Sequence, residues 1–240
     1  QFAVHVEGIK RDANNYKVRG YKISDHDLSQ QNEKRVDGSY ASGETTSIGL
    51  SWIGDQGFAG IAYTQKNDDY GLPGHSHDYD SCHPHATHLH CGSHSNSQGH
   101  QHDDDQTDSE HDHSGLPRIA LDSKRLDFKA EYDQPFSGIE KVKFRAGYTD
   151  YQHQEIDEDI VGTQFNNKGY DARVELMHQS IADVEGTIGL QYSRSDFDVT
   201  GDEAFIPKTL TENISAFLLE KYQWNNVGLE LGARNEWQTI

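Results

Sequence analysis

Arg125-Leu-Asp-Phe-Lys-Ala-Glu-Tyr132 alternates charged and apolar residues without a break. Successive residues of a β-strand face opposite sides, so this stretch predicts a strand with one apolar and one charged face. The same alternation recurs, clearly or weakly, in 2–12, 45–53, 58–67, 141–148, 170–176, 186–197, 212–222 and 227–234. The sequence therefore predicts an all-β chain of about eight antiparallel strands.

The connections between these stretches fall into two length classes. The short ones are 54–57, 133–138, 180–183 and 224–226. The long polar ones are about 13–43, 71–118, 152–168 and 198–209. Short turns at one end and long loops at the other are typical of a transmembrane β-barrel of the bacterial outer membrane, where the short turns face the periplasm. A soluble β-sandwich is the alternative, but a sandwich has no reason to sort its loops by length.

The composition favours a barrel wall over a soluble core. Hydrophobic residues make up only 33% of the 240 residues, yet the chain holds twelve tyrosines, which a disordered acidic chain would lack. A barrel wall needs apolar residues on one face only. The net charge of −19 argues against a nucleic-acid partner and favours the capture of cations. No apolar run approaches the length of a membrane helix.

The stretch 71–118 is a histidine-rich insert that holds eleven of the fifteen histidines and eight acidic residues against one basic residue. Most of these histidines form His-x-His pairs, which place two imidazoles on one side of an extended chain. Neutral imidazole suits Zn²⁺, and a carboxylate can complete a tetrahedral shell. The candidate ligands are His75, His77, Asp78, Asp80, His83, His85, His88, His90, His94, His100, His102, His111 and His113.

The metal that the insert binds stays open between Zn²⁺, Cu²⁺ and Ni²⁺, because the last two bind imidazole at least as tightly. A solvated low-complexity spacer is the alternative to a metal site, although histidine-rich tracts are typical of metal binding. Gly71-Leu-Pro-Gly74 opens the insert and Gly115-Leu-Pro-Arg118 closes it. Proline cannot donate to a strand ladder, so both motifs predict strand ends.

Cys82 and Cys91 are the only cysteines, and both lie in the insert. Zinc sites built on cysteine space the pair by two to four residues, whereas a longer interval separates this pair. The sequence therefore favours a disulfide over metal ligation in an extracellular loop. That disulfide would close a ring carrying His83, His85, His88 and His90.

His153 and Glu155 are predicted to share one strand face at the start of the stretch 152–168, which allows a metal site at the barrel mouth. A plain polar loop start is the favoured interpretation, because loops commonly begin with polar residues. The sequence shows no Ser-His-Asp order, no glycine-rich phosphate loop and no spaced four-cysteine set, so no enzyme is predicted.

Two neighbouring stretches carry a family resemblance. They read Thr46-Ser-Ile-Gly-Leu-Ser-Trp-Ile-Gly-Asp-Gln-Gly-Phe-Ala-Gly-Ile-Ala-Tyr63 and Asp69-Tyr-Gly-Leu-Pro-Gly-His-Ser-His-Asp-Tyr-Asp-Ser-Cys82. They resemble the zinc receptors of the TonB-dependent outer-membrane transporter family, and 173–179 and 134–138 are similar to them as well. The resemblance covers most of the chain, and the Gly-Leu-Pro-x-His-Ser-His block is its most specific part.

The resemblance implies a fold and a function. Family members hold an N-terminal plug inside a 22-stranded barrel and import the ion with energy passed from the inner membrane by TonB. It implies that zinc binds between plug and barrel loops, with His75, His77 and Asp78 as barrel-side ligands. The chain 1–240 is then expected to be barrel wall embedded in outer-membrane lipid, with the loops extracellular and the plug, through which TonB acts, missing.

Two functional hypotheses follow from these observations. The first is a transporter segment in which the insert concentrates zinc and an acidic lumen offers the ion an electrostatic route inward. The second is a secreted or surface β-domain that sequesters a transition metal without transporting it. The presence of a lipid-facing apolar band edged by Tyr and Trp distinguishes the first from the second.

Overall fold

The computed structural model describes residues 1–22, 32–73, 82–85, 88–91, 116–157, 159–201 and 204–240. Regular structure in these ranges consists of β-strands. The strands are β1 (Phe2–Ala13), β2 (Lys17–Lys22), β3 (Asn32–Arg35), β4 (Ala41–Gly54), β5 (Gly57–Gly71), β6 (Cys82–His85), β7 (His88–Cys91), β8 (Arg118–Asp133), β9 (Ile139–Asp157), β10 (Ile160–Ile181), β11 (Val184–Gly201), β12 (Thr209–Trp224) and β13 (Val227–Thr239). No helix within the described ranges is long and apolar enough to cross a membrane.

Nine of these strands form one antiparallel sheet in the order β1-β4-β5-β8-β9-β10-β11-β12-β13. The other four form two small hairpins, β2–β3 and β6–β7, that lie inside long connections of the sheet. The sheet is not closed, since among the described strands β1 and β13 each have a neighbour on one side only. The all-β antiparallel prediction is confirmed, with nine strands in the sheet instead of about eight.

All four predicted short turns are confirmed and lie at one end of the sheet, where β4–β5, β8–β9, β10–β11 and β12–β13 are joined. Three of these turns have two central residues, and one of the three is the turn between β10 and β11. Its central residues Ala182 and Asp183 both have positive φ angles, 52° and 65°. Positive φ at both central positions is the geometry of a two-residue hairpin whose twist matches its strands.

The prediction of a long polar loop over 152–168 is wrong. β9 continues to Asp157 and β10 begins at Ile160, so this stretch is strand except for a short turn. Its polar side chains bond to each other across the two strands: the Gln152 amide lies 3.0 Å from Asn166 Oδ1, and the Gln154 amide 2.8 Å from Gln164 Oε1. Polar composition therefore does not indicate a loop here, because these side chains hydrogen-bond to each other across neighbouring strands of the sheet.

The two faces of the sheet differ in chemistry. One face, here called the apolar face, carries residues such as Val4, Leu50, Phe128, Leu190 and Trp237 over its strands. They are exposed, Val4 by 70% and Trp237 by 58%. Among the described residues, the only buried large hydrophobic side chains are those of Ile119, Ile156 and Val199. The described part of the sheet thus presents its apolar residues outward on one side.

The opposite face, here called the polar face, carries charges of both signs. Arg125 pairs with Asp127 on β8, at 2.8 Å, and Lys141 Nζ lies 3.5 Å from Glu131. Arg173 pairs with its neighbour Glu175 on β10. Several carboxylates of this face thus have a cationic neighbour, and the expected acidic lumen stays a prediction.

Candidate functional site

The insert begins and ends at neighbouring positions of the sheet, Gly71 and Arg118, which are here called the base of the insert. β5 ends at Gly71 and β8 begins at Arg118, and these two residues are opposite each other in the register. The Leu72 backbone N–H donates to the Pro117 carbonyl at 3.0 Å, which extends the pairing one step into the insert. The predicted strand ends at the two Gly-Leu-Pro motifs are confirmed.

Two kinds of contact stabilise the base of the insert: a close approach between the backbones of Gly71 and Gly38, and ion pairs made by Arg118. A Cβ on Gly71 would lie 2.2 Å from the Gly38 carbonyl oxygen, so only glycine fits there. The Arg118 guanidinium lies 2.7 Å from Asp69 on β5 and 3.7 Å from Asp159 in the turn between β9 and β10. Three connections at the long-loop end of the sheet are thereby held together beneath the insert.

Tyr40 lies beside the same base. Burial and the nearby Asp69 carboxylate raise the pKa of Tyr40. The Gly71 backbone N–H donates to the Tyr40 carbonyl at 3.2 Å, which joins the start of β4 to the end of β5. The phenol therefore stays protonated and packs as a neutral part of the base.

Inside the insert the structure describes the hairpin β6–β7. Its register places Cys82 opposite Cys91, His83 opposite His90 and His85 opposite His88. Alternation along each strand then assigns the four histidine positions to one face of the hairpin and the two cysteine positions to the other. Directly opposed antiparallel residues have Cα separations of about 4.5–5.5 Å, within the range that a disulfide spans. The disulfide itself stays a prediction.

The other predicted ligands of the insert lie outside the described residues. These are His75, His77, Asp78, Asp80, His94, His100, His102, His111 and His113.

His153 lies on the polar face of β9, five residues beyond Tyr148. Its ring stacks on Phe165 of β10, with centroids 4.3 Å apart. Its Nδ1 lies 3.0 Å from the Tyr151 hydroxyl, and the two rings meet edge-on. Burial among these aromatic rings lowers the pKa of His153, so its imidazole stays neutral to a lower pH than an exposed one.

Glu155 follows two residues later on the same face of β9, which confirms the predicted shared face, within a strand and not at a loop start. The register places it opposite Thr163 and Ile119, two register positions beyond His153. The sequence predicted the two polar residues but not the stacking ring of Phe165, since that contact depends on the β9–β10 register. The part of the chain that the structure describes holds no group of three His, Cys, Asp or Glu side chains suited to a metal.

His178 lies on β10 near the short turn that leads to β11. Its Nε2 lies 3.0 Å from a Glu220 carboxylate oxygen, and its Nδ1 lies 2.7 Å from the Gln179 carbonyl. Both ring nitrogens are therefore engaged by the protein. Comparison of the sequence with models of known protein families found no match.

Proposed function

We propose that this chain forms part of the wall of an outer-membrane β-barrel that captures Zn²⁺ with the insert 71–118 for TonB-dependent uptake. Zinc is the cargo in this proposal. The observation that carries it is a sheet with one exposed apolar face and one charged face, joined at its long-loop end to an eleven-histidine insert. A water-soluble domain rarely exposes so large an apolar surface, whereas a barrel wall in lipid requires one.

Aromatic residues edge the apolar face towards the long loops, as lipid contact requires. Tyr63, Tyr148 and Tyr170 lie in one register row, separated only by Leu126 between the first two. Tyr192 and Trp237 lie in the next row towards the short turns, with Ile214 between them. This step of one row across the sheet fits strands that are tilted in the membrane.

The unpaired edges of the sheet favour the proposal that this sheet is part of a larger barrel. Backbone N–H and C=O groups within hydrocarbon must be hydrogen-bonded, so only closed barrels and helices span a membrane. β1 and β13 have one neighbour each among the described strands, and their outer backbone groups therefore need further strands. A plug that fills such a barrel and reaches TonB belongs to the proposal through the family resemblance.

The insert supplies the capturing groups. Its histidines are borderline ligands suited to zinc, and its carboxylates attract the cation from dilute solution. Within it the β6–β7 register brings four histidine positions to one face of a short hairpin. A disulfide between Cys82 and Cys91 would hold that hairpin together. It would thereby reduce the conformational entropy that the hairpin loses when zinc binds.

Calorimetric titration of the detergent-solubilised chain tests the capturing role. Deletion of 75–113, and replacement of its eleven histidines by glutamine, should each remove most of the bound zinc. The matched control is His5→Gln combined with His178→Gln, which removes histidines outside the insert and should leave the zinc stoichiometry unchanged. Retention of most of the zinc by the glutamine variant would refute the assignment of these histidines.

The same titration across pH identifies the ligand type. Ligating imidazole must be neutral, and its reference pKa is about 6.5, so zinc affinity should fall between about pH 7 and pH 5. A site dominated by carboxylates would hold zinc to about pH 4, because the reference pKa of aspartate is about 3.9. A zinc affinity that does not change through about pH 6 would show that the ligands are the acidic residues and not the histidines.

A further inference from the structure

Three cations lie side by side on the polar face, in one register row. The register places Lys129 of β8 opposite Arg145 of β9, and Arg145 opposite Arg173 of β10. We call these three residues the cation row. Like charges directly opposite each other destabilise a sheet, so the pairing of these strands does not itself favour the alignment. A bound anion would remove the repulsion.

Two members of the cation row, Lys129 and Arg145, have no ion-pair partner in the described part of the chain, and both are exposed. The neighbouring carboxylates of the polar face pair with cations other than these two: Asp127 and Asp171 with Arg125, Glu131 with Lys141, and Glu175 with Arg173. The Arg173 guanidinium also lies over the Phe217 ring, 4.2 Å from its centroid. The cation row therefore presents two unpaired charges beside a third that is held in place.

A hollow of about 630 Å³ lies on the polar face beside the Lys129 end of the cation row. The register continues from Lys129 to Gly60 of β5, Ser51 of β4 and Ala3 of β1, and the small size of these residues leaves the space open. The lining also includes His5, Phe58, Ala62 and Asp127. The volume lies in the range of small-molecule sites, about 300–1,000 Å³.

We propose that the cation row and the hollow form a binding site for a small organic anion with two or more carboxylate groups. Adjacent strands lie about 4.8 Å apart, so the two ends of the row are separated by about 10 Å. Arg145 would bind a carboxylate through its planar fork of donors, and Lys129 would bind another as a point charge. The carbon skeleton of the ligand would lie in the hollow against Ala62 and Phe58. This site is separate from the insert and goes beyond the proposed function, since it requires neither zinc nor a membrane.

The charges and the hollow together favour this class of ligand. The cation row would repel a metal cation. A nucleic acid is disfavoured by the net charge of −19, since a phosphate backbone needs a basic surface. A compact inorganic anion would use the cation row alone and leave the hollow empty. An organic anion uses both, because the small side chains beside Lys129 leave space for its carbon skeleton.

Calorimetric titration of the whole chain with citrate, a compact tricarboxylate, in neutral detergent and metal-free buffer tests the proposal. Lys129→Gln combined with Arg145→Gln should weaken citrate binding about tenfold or more, the loss expected when charge-assisted hydrogen bonds are removed. The matched control is Lys141→Gln combined with Arg234→Gln, which removes a lysine and an arginine that are ion-paired elsewhere on the polar face. It should leave citrate binding unchanged.

Ala62→Leu separates the hollow from the charges. The larger side chain fills part of the hollow, so it should weaken citrate binding but leave unchanged the binding of pyrophosphate, which has no carbon skeleton. Equal citrate binding by Ala62→Leu and the native chain would overturn the role of the hollow. Circular dichroism checks that all variants keep their strands.

Three results would overturn the site as a whole. They are no citrate binding by the native chain, no weakening by the Lys129 and Arg145 variant, and equal weakening by the Lys141 and Arg234 control. None of these results depends on zinc capture by the insert or on insertion into a membrane, so they are distinguishable from failure of the proposed function.

Discussion

His153 is held by aromatic rings in the structure, and this limits what it can contribute to metal binding. Stacking on Phe165 at 4.3 Å and contact with the Tyr151 hydroxyl at 3.0 Å engage one face and one nitrogen of the imidazole. The predicted metal site formed with Glu155 finds no third ligand among the described residues. In the described geometry His153 packs against aromatic rings at the long-loop end of β9, and its role as a metal ligand stays a prediction.

The lowered pKa of His153 predicts a pH effect on stability. The unfolded chain takes up a proton near the reference value of about 6.5, whereas the folded chain does so only at lower pH. Stability is therefore full above that value and declines as the pH falls below it. His153→Phe keeps the stack without the titrating group. Its melting temperature in detergent should fall less between about pH 7.5 and pH 5.5 than that of the native chain.

The control for this experiment is His5→Gln, since the His5 side chain is 67% exposed and lies on the same face of the sheet. It should retain the pH dependence of the native chain. If acidification lowers the melting temperatures of His153→Phe and the native chain by the same amount, burial of His153 is not the cause of the pH dependence.

Cys82 and Cys91 provide a second prediction at the scale of single residues. Their opposed positions in β6 and β7 make the disulfide geometrically feasible, and the proposed extracellular location would favour it. Thiol labelling of the denatured, non-reduced chain should leave both cysteines unlabelled, and labelling after reduction should mark both. Labelling of both cysteines without reduction would refute the disulfide and favour free thiols as metal ligands.

Single residues were predicted with uneven success. Gly71 and Arg118 were predicted as insert boundaries because glycine and proline limit strands by local geometry, which sequence carries directly. The ring of Phe165 against His153 was not predictable, because residues on different strands meet only through the register. The aromatic partner of a histidine is thus a property of pairing and not of either stretch alone.

At the scale of elements, the strands are longer than the alternation indicates. β9 has 19 residues and β10 has 22, against predicted stretches of eight and seven. The apolar alternation ends near Tyr148 and Tyr170, while the pairing continues through polar residues on both faces. Hydrophobic periodicity detects only the part of a strand with one apolar face, so it underestimates strands that extend into water.

Hydrogen exchange tests the polar extension of β9 and β10. The amides of 152–157 and 160–168 should be protected, because they belong to an antiparallel ladder. Residues 204–208, in the connection before β12, provide a control that should exchange quickly. Exchange of 152–168 at the rate of that connection would restore the interpretation of a long loop.

At the scale of the whole molecule, the sheet has two faces and no second layer over either of them in the described residues. Its apolar face is exposed, and its polar face carries paired charges. The alternation in sequence predicted both faces correctly. It could not predict the balance of charge on the polar face, because net charge sums over all loops and conceals which carboxylates have cationic neighbours.

The position of the tryptophans makes the membrane claim directly measurable. All three, Trp52, Trp224 and Trp237, lie on the apolar face and are exposed by 48%, 64% and 58%. Lipids brominated along their acyl chains quench only tryptophans that reach the hydrocarbon. A single-tryptophan chain retaining Trp52 is the test, and a chain whose only tryptophan comes from Phe58→Trp, on the polar face, is the matched control.

Fluorescence of these two chains in vesicles of brominated phosphatidylcholine is the most direct test of the barrel-wall claim. We expect strong quenching of Trp52 by brominated lipid and little by aqueous iodide, with weaker lipid quenching of the tryptophan introduced at position 58. Iodide quenching of Trp52 with no effect of brominated lipid would contradict the claim. That result would favour the alternative of a soluble β-domain that sequesters metal.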